Sequence, residues 1–262
     1  MIQKKKKGLG DRWFNPHRIA RLADLSEFVG AIVSEMEKHE AAVMPRTRAR
    51  RAADQDVFER QAEALLCDAL LRNLTKPGEW LTASRSKTVL GRRCRYRSSV
   101  MGDKLPMVMD LLDGCGLLEV RLGDVCKYRG ASIKQTTFRA SKRLLERASH
   151  LDLQFSDFGT DGLEEVIVLR SEKVQGKGML VRYEDTEETI ALRSQIAALN
   201  VWLSQADIEL AQDIPGVNPQ DRMMHRVFNN GRFDHGGDWV AGFGSKWGSG
   251  RGGTSSLMAW IQ

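Results

Sequence analysis

Gly114-Cys115-Gly116-Leu117-Leu118-Glu119-Val120-Arg121-Leu122-Gly123-Asp124, with Gln135-Thr136-Thr137-Phe138-Arg139 beyond it, is the stretch on which the fold turns. Upstream, Leu105, Val108, Met109, Leu111 and Leu112 recur at helical spacing, Pro106 suits a first turn, and Gly114 or Gly116 suits the end. Residues 117–122 then read as a strand, 123–131 as a glycine-bearing loop and 135–139 as a return strand. Ser141 opens a further helix through Leu144, Leu145 and Ala148.

Working outward, Val57, Phe58, Ala62, Leu65, Leu66, Ala69 and Leu70 mark one apolar face of a helix from Asp56 to about Leu74. Pro77-Gly78 ends it, and Trp80-Leu81-Thr82 can form a short strand. Helix, strand, helical region, helix and two strands joined by a loop is the order of a winged helix, here over residues 56–150. Residues 1–55 read as a basic extension with one helix, starting at Ser26 and carrying Phe28, Val29, Ile32, Val33 and Met36 until Pro45. Residues 151–237 read as an α+β extension. In it, 165–170 is a strand, Asp185 or Thr186 caps a helix with Ile196 and Trp202 in its apolar stripe, and Ile208 and Leu210 sit on a short strand. T-E-E-T at 186–189 departs from S/T-x-x-E, so a one-way cap is expected there. The expected class is α+β: a central winged-helix domain, a helical N-terminal extension, and an irregular tail over 238–262 that is disordered or frameshifted.

Composition narrows the function. With 42% hydrophobic and 28% charged residues the chain is globular, and no apolar run approaches the length of a membrane span. The start, Met1-Ile2-Gln3 and four lysines, lacks the apolar segment of a signal peptide. Cys67, Cys94, Cys115 and Cys126 form no C-x-x-C pair, so reduced thiols in a cytoplasmic protein are expected. The net charge of +6 conceals an asymmetry: residues 1–150 hold 30 Lys and Arg against 18 Asp and Glu, and the remainder holds 10 against 16. A half-chain this basic is suited to a polyanion, of which nucleic acid is the commonest in the cytoplasm.

Two clusters focus that charge. Arg85, Lys87, Arg92, Arg93, Arg95 and Arg97 fall within thirteen positions without an acidic residue, interrupted by Tyr96. Lys127, Arg129, Lys134 and Arg139 fall on the expected wing. Guanidinium forks and ammonium groups hold phosphates and read guanine edges, so these ten residues are the candidate nucleic-acid contacts. The bland alternative is a solvated basic loop. A polar run without apolar periodicity is not expected in a core, so alanine at Arg92, Arg93, Arg95 and Arg97 should leave the fold intact.

Catalysis has no motif here. Gly8-Leu9-Gly10 lacks the strand and helix of a dinucleotide site, no phosphate-binding loop exists, and His17, His39, His150, His225 and His235 are scattered. No cofactor and no metal are expected.

The C-terminal phrase Phe228-Asn229-Asn230-Gly231-Arg232-Phe233-Asp234-His235-Gly236-Gly237 combines an Asn-Gly turn signal with flanking aromatics. Together with Val166-Ile167-Val168-Leu169-Arg170 and Tyr183-Glu184-Asp185-Thr186, it resembles an uncharacterised family of proteobacterial, phage and plasmid proteins. The resemblance covers roughly residues 60–237. It implies a mobile-element setting and DNA contact, and carries over no activity. In that family the phrase continues G-G-R-F-Y-G-G-W-W-Q and leads to an acidic E-L-D-Y motif, whereas this chain departs after Gly237. DNA for Ala241–Trp247 can read G-F-W-Q-Q-V in another frame, so the resemblance implies a frameshift that truncated a longer protein.

The expected function is therefore DNA binding for a phage or plasmid, in replication, maintenance or transcriptional control. Duplex DNA is favoured over single strands or RNA, a homodimer stays open, and no membrane is involved. The rivals are the N-terminal part of a nucleotidyl-transferring or nuclease-like enzyme, and a non-catalytic module that binds another protein.

Overall fold

A computed structural model describes residues 12–92, 94–123, 135–161, 165–174, 178–206, 222–234 and 237–241. The fold is α+β, with short sheets and six α-helices among the described residues. The chain divides into two compact units, Met1–Arg93 with Ser98–Asp161, and Cys94–Arg97 with Gly162–Gln262.

The first unit contains β1 (Arg12–Trp13), β2 (Arg18–Ala20), α1 (Ala23–Val43), α2 (Ala52–Thr75), β3 (Leu81–Ala83), α3 (Lys87–Leu90), α4 (Leu105–Gly114), β4 (Leu118–Arg121), β5 (Thr136–Ala140), α5 (Lys142–Ala148) and β6 (Phe158–Thr160). Its centre is α2. From Gln61 to Leu71 every residue but Glu63 is buried, so the helix needs neighbours on all sides. They are α1, α4, β2 and β5. Buried polar groups of α2 find partners from distant parts of the chain. Fully buried Asp68 accepts from Arg12 Nη2 at 2.5 Å and from the Asn15 backbone N–H at 2.8 Å, and Gln61 Nε2 donates to the Val100 carbonyl at 2.9 Å.

Within the expected N-terminal extension, α1 is thus not peripheral. Leu25, Val29, Ile32, Val33 and Met36, one helical stripe of α1, lie in the same core as Phe58, Leu65, Leu66 and Phe138. Two arginines of the run after Pro45 are tied to the same unit: Arg46 Nε holds buried Glu40 at 2.9 Å, and Arg50 pairs with the same carboxylate while lying over the Phe58 ring at 3.7 Å.

From α2 onward the expected order of helix, strand, helical region, helix and two strands is observed. The four-stranded sheet runs β1-β3-β5-β4, with β3–β5 and β5–β4 antiparallel and β1–β3 parallel. The exit from α4 turns on Gly116 at φ +69, a conformation that needs no Cβ. There Leu117 N–H bonds to Leu112 O and Gly116 N–H to Asp113 O, both at 2.8 Å, the paired bonds of a Schellman cap. Ser141 caps α5 as expected, its Oγ accepting from Leu144 N–H at 3.1 Å. The unit continues past residue 150, because β6 pairs antiparallel with β2.

The second unit is smaller. β7 (Ile167–Leu169) runs parallel to β8 (Met224–Phe228), which pairs antiparallel with β9 (Gly237–Ala241). α6 (Glu187–Gln205) buries Ile196 in a core with Val166, Ile167, Leu169 and Phe228. Its Asn200 amide pairs both ways with the Met224 backbone, at 3.0 and 2.8 Å. The cap of α6 is reciprocal, contrary to expectation. Thr186 Oγ1 accepts from Thr189 N–H at 3.3 Å, and Thr189 Oγ1 accepts from Thr186 N–H at 2.8 Å, so a threonine hydroxyl does the work of the usual Glu.

A second correction concerns the tail. Asp238–Ala241 are not loose but lie in β9, in register with Met224–Val227. Residues 242–262, and the strand expected at Ile208 and Leu210, lie outside the described residues.

If α1 shares the core of α2, Ile32→Ala should lower the stability of the full chain by about 2–5 kcal/mol, the cost of a large-to-small core truncation. Urea unfolding measures this, and a loss below about 0.5 kcal/mol would mean that α1 is peripheral.

Candidate nucleic-acid interface

Six of the ten expected contact residues lie among the described residues, and they are divided between the two units: Arg85, Lys87, Arg92 and Arg139 belong to the first, Arg95 and Arg97 to the second. Arg93, Lys127, Arg129 and Lys134 lie outside the described residues. Lys87, on α3, and Arg92, just after it, are exposed, and Arg97 is half-buried. Arg85 is committed within the first unit: its guanidinium bonds both oxygens of Asp110, at 2.7 and 2.6 Å.

Arg95 is a correction to the expected interface. It belongs to the second unit, where Cys94–Arg97 is built in. Its Nε lies 3.1 Å from Glu165, Nη2 donates to Asp185 at 2.6 Å, and Nη1 donates to the Tyr183 carbonyl at 3.0 Å. Arg193 completes a square of charges, bonding Glu165 at 3.2 Å and Asp185 at 2.8 Å. Hydrogen bonds from Arg193, and then Arg95, hold the Asp185 carboxyl below its usual value. Burial, reinforced by Glu165, pushes the Tyr183 phenol up to about 12, so it stays protonated and donates to Ile167 O at 3.3 Å. The guanidinium of Arg95 also covers the Tyr183 ring at 4.3 Å. Alanine at position 95 would open this square, so the quadruple replacement is not neutral for folding.

Tyr96 is spliced into the backbone pairing of the second unit. Val181 N–H donates to Leu169 O at 2.9 Å. On the return side, Leu169 N–H donates to Tyr96 Oη at 3.1 Å, and the hydroxyl donates onward to Val181 O at 2.6 Å. The phenol replaces one direct ladder bond with two.

The Phe228–Phe233 part of the C-terminal phrase has a structural explanation. Asn230 and Gly231 have φ of +62 and +68, the two left-handed residues of a tight turn, and Gly231 N–H bonds to Arg170 O at 2.7 Å. Phe233 returns edge-on to Phe228 and Tyr183, with centroids 5.0 and 4.9 Å away. Phe228 and Phe233 thus help to build the small core.

One basic arrangement on the expected wing is open to solvent. β4 and β5 alternate, so Leu118, Val120, Phe138 and Ala140 share the inner face while Glu119, Arg121, Thr137 and Arg139 share the outer one. Trp80, just before β3, lies against this outer face. Arg121 Cζ stands 3.9 Å from the Trp80 ring centroid and Arg139 Cζ 4.6 Å. Arg139 is neutralised by Glu119 at 2.7 Å. Arg121 is exposed, and no carboxylate among the described residues pairs with it. Neither Trp80 nor Arg121 was a candidate from sequence. The signal was available in the alternation of 118–121 against 137–140, which puts Arg121 and Arg139 on one face.

Among the described residues, no three His, Cys, Asp or Glu side chains gather as a metal site, and no helix is long and apolar enough to cross a membrane. Cys67 is buried within α2, and burial pushes its thiol up, away from the reactive thiolate. Compared with models of protein families, with characterised proteins and with solved structures, the chain matches none.

Tyr96→Phe leaves Leu169 N–H and Val181 O without their shared partner, and should destabilise the chain by about 1–3 kcal/mol in urea. A variant with an unchanged midpoint would show that the hydroxyl bridge carries no weight.

Proposed function

We propose that the first unit binds duplex DNA as a winged helix, laying the β4–β5 wing along the phosphate backbone. The observation that carries this reading is exposed Arg121, held over Trp80 at 3.9 Å without a carboxylate partner among the described residues. Stacking on an indole restrains a guanidinium without neutralising it, so less side-chain entropy is lost when it meets a phosphate. β4 leads directly into the 123–135 connection, whose sequence adds Lys127, Arg129 and Lys134. Lys87 and Arg92 supply further exposed cations on the same unit. The excess of 30 basic over 18 acidic residues in 1–150 supports a polyanionic partner. The family resemblance supports a phage or plasmid setting, in replication, maintenance or control of transcription.

Fluorescence anisotropy of a labelled duplex, titrated with the full chain across a salt series, tests the reading. The wild-type protein should bind with a linear log–log salt dependence. Arg121→Ala should weaken binding and flatten that slope by roughly 0.9 for one lost phosphate contact, with Arg121→Lys recovering most of it. A folded Arg121→Ala protein with wild-type affinity and slope would remove the wing from the interface. An absence of duplex binding at low salt would refute DNA binding altogether.

A further inference from the structure

We infer that this chain holds duplex DNA of any sequence, because the helix that precedes the wing cannot read base edges. The inference rests on the DNA-binding reading above and concerns what that binding recognises. In helix-turn-helix proteins a recognition helix enters the major groove and presents side chains to the bases. The helix in that position here is α4, and it is walled in. Leu105, Pro106, Val108, Met109, Leu111 and Leu112 are buried, and α1 and α2 pack against the helix. At its C-terminal end a Cβ on Gly114 would come within 2.8 Å of His39 Nε2.

What α4 does expose is unsuited to a groove lined by phosphates. Its exposed side chains are the carboxylates Asp110 and Asp113, with Met107 half-buried. Asp110 is occupied by the two-pronged bond from Arg85, and Asp113 Oδ1 accepts from the Val120 backbone N–H at 3.1 Å. No Arg, Lys, Asn or Gln, the side chains that pair bidentately with guanine or adenine, lies on α4. α3 is a single turn of four residues. Binding then draws on phosphate neutralisation from the wing and on exposed cations such as Lys87, which is blind to sequence.

The test combines affinity with footprinting, using the full chain and a panel of equal-length duplexes of unrelated sequence. Dissociation constants should agree within about threefold, against the roughly thousandfold or greater preference of proteins that read a site. Hydroxyl-radical cleavage of the backbone should fall in the complex, while dimethyl sulfate methylation of guanine N7, in the major groove, stays at its free-DNA level. A preference above about a hundredfold for one duplex, with N7 protection at fixed positions, would overturn the inference and leave DNA binding standing. Failure to bind every duplex would overturn both.

Discussion

The organisation of the first unit follows from the burial of α2. A helix with almost no exposed residue between Gln61 and Leu71 cannot stand at the edge of a domain, so it draws structure from both sides of the sequence. α1 covers it from the N-terminal side, while α4 and β5 cover it from the C-terminal side. Asp68, at the centre, adds an electrostatic demand that Arg12 and the Asn15 backbone meet. That demand helps to fix β1 and β2 beside β3 and β6. On the proposed DNA-binding reading, α1 by packing on α4 takes away the surface that a recognition helix would use, and leaves exposed Arg121 on Trp80 at the β4–β5 face as the contact.

The second unit depends on a different economy of charge. Arg95 and Arg193 share Glu165 and Asp185, and Tyr96 bridges Leu169 to Val181. A segment that belongs by sequence to the basic cluster is thereby consumed in holding the other unit together. Positive charge close in sequence is not positive charge on one surface. Its fate is set by acids about seventy and ninety residues further along the chain, Glu165 and Asp185.

Much of the fold was legible because local signals agreed. α2 and α4 show helical periodicity, Ser141 is an N-cap, Asn230-Gly231 is a turn, and β4 and β5 pair antiparallel. What escaped reading depends on distant partners. β1 has two residues and β2 and β6 three each, too short for any alternation to register. α1 shows its stripe plainly, yet a stripe does not say which core it joins. The Thr186–Thr189 cap was missed because its second hydroxyl comes from a residue type that the usual pattern omits. Of the proposed site, the β4–β5 strand pair and Arg139 were read from sequence, but Arg121 stood out only when pairing set it on the face of Trp80.

The central claim is that contact with DNA falls on the wing while α4 stays out of the groove. Backbone amide chemical shifts, followed by NMR as a duplex is titrated into the isotope-labelled full chain, test it residue by residue. The largest changes should cluster at Glu119–Gly123 and Gln135–Arg139, with the indole N–H of Trp80 moving alongside, while Met107 and Asp110 hold their free positions. Changes concentrated on Met107 and Asp110, with the β4–β5 strands unmoved, would contradict the account.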